Sequence, residues 1–154
     1  MYDYFVAELR CPGCATDNPT TAYTNMQTHI RGGGADGSEL TIGTQLALVY
    51  LTTEHLASAG YALVAAPADV TSLRLLDVWT CPACNTEQWA MIEVVAGRIE
   101  RIEAVVMNRQ TLEAANFIDE VHAELLAADL LGLPWAEFSE RKLNSVEVLR
   151  QRLK

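Results

Sequence analysis

Cys11-Pro12-Gly13-Cys14 and Cys81-Pro82-Ala83-Cys84 contain every cysteine in the chain. Each pair presents two thiols from one tight turn, and two such turns supply the four soft ligands of a tetrahedral Zn²⁺ site. Cys11, Cys14, Cys81 and Cys84 are therefore the expected metal ligands. No fifth cysteine remains as a separate nucleophile, and no histidine is needed to complete the set. Zn²⁺ in a structural role is the first expectation; iron, which also accepts four thiolates, is the second.

Other candidates for chemistry are sparse. His29, His55 and His122 are the only histidines, and none stands at a catalytic spacing from a serine or cysteine. Asp119-Glu120-Val121-His122 places a carboxylate and an imidazole one helical turn apart, half of a carboxylate-bridged two-metal pattern. No second copy exists, so a solvated polar helix face is the expectation. Arg31-Gly32-Gly33-Gly34-Ala35-Asp36-Gly37-Ser38 is glycine-rich but lacks the Lys-Ser/Thr ending of a phosphate loop, and reads as an exposed loop.

The elements that must position the cysteines follow from pattern. Residues 2–10 alternate as a strand running into the first Cys-Pro-x-Cys turn, and residues 20–30 suit a returning strand. Residues 73–80 enter the second turn as a strand and residues 89–95 leave it. Ala96-Gly97 marks a hairpin into residues 98–107. Between the two halves, residues 31–72 form an insertion. It contains an ambiguous apolar run at 46–51, a short helix capped by Thr52 and closed by Gly60, and an extended segment at 61–65. From Asn108 the apolar period changes to that of a helix, with Ala114, Phe117, Ile118, Val121, Leu125 and Ala128 on one face. Gly132 and Pro134 end it. Trp135, Phe138, Val146, Leu149 and Leu153 mark a second helical stretch. The expected fold class is α+β: an antiparallel β-rich domain over 1–107, followed by two C-terminal helices over 108–154 packed on it.

The two Cys-Pro-x-Cys turns with flanking strands resemble the knuckles of the zinc-ribbon group and, more loosely, of rubredoxin. The resemblance implies a β-hairpin framework with a knuckle at the tip of each strand pair, and it places Cys11, Cys14, Cys81 and Cys84 at the ligand positions. The chain departs from the pattern in two ways. Sixty-six residues separate Cys14 from Cys81, against about 15–20 in compact sites. Ala15 and Asn85 stand where a glycine often follows the second knuckle cysteine, and glycine is the residue that reaches positive φ at little cost. Trp79-Thr80-Cys81-Pro82-Ala83-Cys84 also resembles a thioredoxin-like active site, where a helix N-terminus lowers a thiol pKa. The β-branched residues that follow favour a strand there instead.

Composition bounds the function. Twenty acidic against 11 basic side chains give a net charge of −9, which works against binding a phosphate backbone. The basic concentration Arg141, Lys142, Arg150, Arg152 and Lys154 falls where a last helix ends and complements its dipole. No run is long and apolar enough to span a bilayer, and the first ten residues do not read as a signal peptide. A cytosolic location is expected, where paired Cys-x-x-Cys motifs favour metal over disulfides. The expectation is a non-catalytic, zinc-stapled protein-interaction module with a protein as partner. Glu113, Asp119, Glu120, Glu124 and Asp129 read as an ordinary solvated helix face or, in the functional reading, as a docking surface for a basic partner. A homodimer contact through Leu126 and Leu130 is a further option. A thiol–disulfide oxidoreductase and a nucleic-acid-binding zinc ribbon are the alternatives.

Overall fold

The computed structural model describes residues 2–32, 38–69 and 71–154; residues 33–37 of the expected glycine-rich loop lie outside them. The fold is α+β. Five short strands come first: β1 (Asp3–Phe5), β2 (Leu9–Arg10), β3 (Asp17–Asn18), β4 (Gln27–Thr28) and β5 (Glu39–Leu40). A 3₁₀ turn at Leu48–Leu51 leads to α1 (Thr53–Ser58) and β6 (Tyr61–Leu63). The long strands β7 (Leu73–Thr80), β8 (Glu87–Val95) and β9 (Arg98–Val105) follow. The chain closes with α2 (Arg109–Glu113), β10 (Phe117–Asp119), α3 (Glu120–Leu131), α4 (Trp135–Glu140) and α5 (Ser145–Arg152).

The central sheet has the order β6-β10-β7-β8-β9. Because successive side chains on a strand point to opposite faces, it builds two cores. Leu73, Leu75 and Trp79 of β7 join Ala90, Ile92 and Val94 of β8 and Ile99 and Ile102 of β9 on one face. Phe5, Leu9, Met26, Leu40, Leu46, Leu51 and Leu56, from the first 60 residues, cover them. On the other face Leu76, Met91 and Ile118 pack under the helices with Leu112, Ala123, Ala127, Phe138 and Leu149. The sheet is thus a middle layer between an N-terminal β layer and a helical layer. Strand β9 forms one of its edges, and Arg98, Glu100, Arg101 and Glu103 alternate there as exposed charges between buried Ile99 and Ile102.

Several expectations are revised. The first strand is broken because β1 pairs with β4 and β5 whereas β2 pairs with β3, so the chain changes sheets between residues 6 and 8. The returning strand shrinks to Gln27–Thr28. The sheets are mixed and not purely antiparallel, since β10 runs parallel to β7 and β1 parallel to β5.

The helix expected from Asn108 is interrupted by β10. Asn116 makes the break: its amide donates to Arg74 O (2.9 Å), its side-chain oxygen accepts from Arg74 N (2.8 Å), and its Nδ2 donates to Ala65 O (3.0 Å). Phe117 and Ile118 then enter the slot between β6 and β7 and bury on opposite faces of the sheet. As a result α3 turns a different side inward. Ala123, Ala127 and Ala128 are buried, Leu126 and Leu130 pack on the helical core, and Val121 and Leu125 are 53% and 42% exposed. The second helical stretch is two elements, α4 and α5, the latter capped by Asn144 accepting from Glu147 N (3.0 Å).

Caps and turns read from sequence are present. Thr52 caps α1, Asn108 caps α2 and Gly132 closes α3 in the left-handed region. Ala96 and Gly97 both have positive φ (51° and 78°), the signature of a two-residue type I′ hairpin. Alanine is a poor occupant of that conformation and asparagine a good one. Ala96→Asn is expected to raise the unfolding free energy by up to about 1 kcal/mol, measurable as a higher urea midpoint at unchanged slope.

Candidate metal centre

Cys11 and Cys14 lie on the turn between β2 and β3, and Cys81 and Cys84 on the turn between β7 and β8. The Sγ atoms of all four lie within 4.8 Å of one another. Across the two turns, Cys11 and Cys84 are 3.7 Å apart and Cys14 and Cys81 3.8 Å. A tetrahedron of sulfurs at a metal–sulfur distance of about 2.3 Å has edges of about 3.8 Å, whereas a disulfide needs about 2.05 Å. The four cysteines are positioned to hold a metal ion. Cys11 and Cys81 are buried, Cys84 is half-buried and Cys14 exposed.

The two knuckles are built alike. In the first, Cys11 N donates to Thr16 O (2.9 Å) and Ala15 N to Cys11 O (2.9 Å). In the second, Cys81 N donates to Thr86 O (2.9 Å) and Asn85 N to Cys81 O (2.7 Å). Ala15 and Asn85 both take left-handed φ, 61° and 56°, so the knuckle conformation persists without the usual glycine. The Thr16 hydroxyl lies 3.2 Å from Cys14 Sγ, and the Thr86 hydroxyl 3.0 Å from Cys84 Sγ. Buried Asn18 crosses from the first knuckle to the second: its Nδ2 donates to Leu9 O (3.1 Å) and stands 3.6 Å from Cys81 Sγ. Sequence reasoning missed these supports. The signal was there, because Cys11-Pro-Gly-Cys-Ala-Thr-Asp-Asn18 and Cys81-Pro-Ala-Cys-Asn-Thr-Glu-Gln88 match in register.

The surroundings differentiate the thiols. Burial pushes Cys11 up against the opposing pull of the Cys14 and Gly13 amides. The Thr16 hydroxyl and amide hold Cys14 below its ordinary value. At Cys81 burial also works upward, but the amides of Cys84 and Ala83 and the Asn18 side chain outweigh it and bring the thiol down to about 6. A strand, β8, follows the second knuckle, so no helix N-terminus contributes to that lowering. Trp79 is fully buried in the same core as Cys11 and Cys81, with its indole N–H on Trp89 O (3.1 Å). Trp89 lies on the helical face, edge-on to His122.

The histidines separate. His55 Nδ1 is 2.8 Å from Thr52 Oγ1 at the start of α1, and exposed His29 stands edge-on to Tyr2. His122 is half-buried and held by two carboxylates. Its Nδ1 is 2.9 Å from Asp119 Oδ1 and its Nε2 2.7 Å from Glu87 Oε2. Acceptors at both nitrogens favour the imidazolium, and the Asp119 hydrogen bond raises its pKa against desolvation. Beside it, Tyr61 OH donates to Asp77 Oδ2 (2.5 Å), and Val78 N donates to Oδ1 (2.9 Å). Burial, then the Asp119 charge, push Asp77 up to about 7. Of the basic tail, Arg141 pairs with Glu137, Arg150 reaches Val64 O, and Arg150 and Arg152 occupy the last turn of α5.

Among the described residues no helix is long and apolar enough to cross a membrane. Comparison of the chain with protein-family models, with curated proteins and with solved structures found no match.

Asn18→Ala removes a supporting donor without touching a sulfur and is expected to weaken metal binding by about 10–100-fold, read by competition with a chromophoric chelator. The titrating pair gives a pH signature. For Asp77, a folded value raised above the unfolded one means that stability is full below about pH 4 and falls as pH rises toward 7. For His122, also raised, stability is full below about 6.5 and is lost as pH passes through the higher folded value. Asp77→Asn should therefore gain stability over its parent between pH 4 and 8 by a margin on the order of 2–4 kcal/mol. Denaturant titrations across pH check this, the parent–variant difference cancelling the acid release of metal common to both.

Proposed function

We propose that the chain is a non-catalytic protein-interaction module stapled by one structural Zn²⁺ and acting in a reducing, cytosolic setting. The observation that carries this reading is the closed set of four sulfurs. A tetrahedral thiolate site that uses every cysteine leaves no position for water or substrate. Zinc is the assignment because a staple asks only for charge and tetrahedral direction, which a d¹⁰ ion supplies without redox lability.

The surface of α3 supports a protein partner. Val121 and Leu125 are exposed one turn apart, and Trp135, 45% exposed, places its indole N–H 3.3 Å from Glu124 on the same helix. Glu120, Glu124 and Asp129 surround them, and no Lys or Arg occurs between Gln110 and Glu140. An apolar stripe set among carboxylates fits an amphipathic segment carrying Lys or Arg. Self-association through this face would bring like charges together, and a nucleic-acid backbone would meet the same repulsion.

Native mass spectrometry and elemental analysis of protein purified without added metal test the staple; one zinc per chain is expected, lost together with folded structure under chelation. Protein free of metal and lighter by two hydrogens per disulfide would transfer the case to a Cys81–Cys84 oxidoreductase. Cross-linking of captured partners tests the surface. The expected cross-links run through α3, weaken with salt, and fall sharply in the Glu120→Lys/Glu124→Lys/Leu125→Ser variant. Retention of nucleic acid alone would overturn the reading.

A further inference from the structure

On the sheet face next to the N-terminal layer lies a cavity of about 290 Å³, lined among others by Thr28, Tyr61, Asp77, Glu87, Asp119 and His122. Its floor is a relay of buried polar side chains from three strands. Thr28 Oγ1 accepts from Ile30 N (3.1 Å) and donates to Tyr61 OH (2.8 Å), which donates to Asp77 Oδ2. Thr28, Tyr61 and Asp77 are 3%, 4% and 2% exposed. Strand register places them beside a second acid. Asp119 pairs with Tyr61 across β10 and β6, and it follows Ile118 as Asp77 follows that residue's β7 partner Leu76.

Asp77 has hydrogen-bond partners but no counter-charge of its own. Tyr61 and Val78 N are neutral, and the imidazolium of His122 is held at both nitrogens by Asp119 and Glu87. The cavity therefore gathers the carboxylates of Asp77, Glu87 and Asp119, with His122 committed to two of them. His29 is a second imidazole in the lining, and no Lys or Arg is among the lining residues. A buried carboxylate facing another is costly, and an asparagine would fill the same space without the charge. Such costs collect where a ligand is to be met.

We propose that this cavity binds a small organic cation, an ammonium or guanidinium group seated between Asp77 and Asp119. The inference goes beyond the interaction module above and does not depend on it. A metal ion is the poorer occupant. Among the described residues the four cysteines are the group of metal-ligating side chains whose donor atoms converge, and the carboxylates and His122 do not join such a group. An organic cation tolerates wider spacing, because its N–H donors reach several acceptors at once. Asn25, Gln27, Thr28 and Thr80 offer further acceptors, and the exposed Tyr2 ring lies among the lining groups for cation–π contact. The ligand supplies the charge that Asp77 otherwise takes up as a proton. Affinity should therefore rise with pH as Asp77 ionises; Tyr61, Asp119, His122, Glu87, His29 and Tyr2 are the other titratable groups around it.

The test is an amide-resolved NMR titration of the zinc-loaded full chain with putrescine and methylguanidinium, with 1,4-butanediol and Mg²⁺ as controls. At least one organic cation should give saturable shifts at Asn25, Gln27, Thr80 and His122, while the diol gives none. Asp77→Asn, which keeps the fold and the zinc, should lower that affinity at least about tenfold, and Asp119→Asn, which retains the helix cap, should do the same. Equal response to the diol, stronger response to Mg²⁺, no saturation by either cation, or undiminished binding by Asp77→Asn would each overturn the proposal. Zinc content and partner binding through α3 are read separately, so failure here leaves the module reading standing, and the reverse holds.

Discussion

Four cysteine sulfurs within 4.8 Å of one another can be neutral thiols or thiolates around a cation, but not four bare thiolates. That electrostatic constraint governs how the first 30 residues attach to the rest. Their strands are two or three residues long and bury little by themselves. They are held to the sheet by the apolar contact of Phe5, Leu9 and Met26 with Trp79 and its neighbours, by hydrogen bonds of Thr24 with Thr80 and of Thr28 with Tyr61, and by the sulfur cluster at the tips of the knuckles. A cation at the cluster ties Cys14 to Cys81 across 66 intervening residues. It thereby removes much of the freedom that such a loop would have when unfolded.

The central sheet transmits this attachment to the helices. Leu73, Leu75 and Trp79 of β7 serve one core and Leu76 the other, and Asp77 interrupts the apolar series where β7 lines the cleft. Glu87, three residues after Cys84, reaches His122 in the first turn of α3, which Asp119 caps. Metal knuckle, sheet and helix terminus are thus joined by one short run of polar contacts, and the Asp77 carboxyl titrates beside it.

Legibility followed how local the controlling physics was. The β7–β8–β9 meander was readable because its alternation, its Ala96-Gly97 turn and its knuckle all lie within one stretch of chain. The cysteine cluster was readable because four residues of one type leave few pairings. The helix through Phe117 and Ile118 was misread because those residues satisfy a helical period as well as a strand. What decided the matter was the open slot between β6 and β7, together with three hydrogen bonds from Asn116, all set by tertiary structure. Val121 and Leu125 were assigned to the core for the same reason, whereas small Ala123 and Ala127 allow α3 its close approach. The Asp119–His122 pair was visible in sequence, but Glu87 and Asp77, which give it meaning, arrive from other strands.

The charged margin of β9 has a consequence for the life of the protein in a crowded solution. Past Ile99, whose N–H and C=O are bonded to Thr44 and Gly43, the eight-residue edge strand has no further strand beside it among the described residues. It could take on a passing chain there, the usual seed of sheet-to-sheet aggregation. Here Arg98, Glu100, Arg101 and Glu103 would be carried into such a contact and would have to shed their water. The open side of the sheet is therefore guarded against indiscriminate growth.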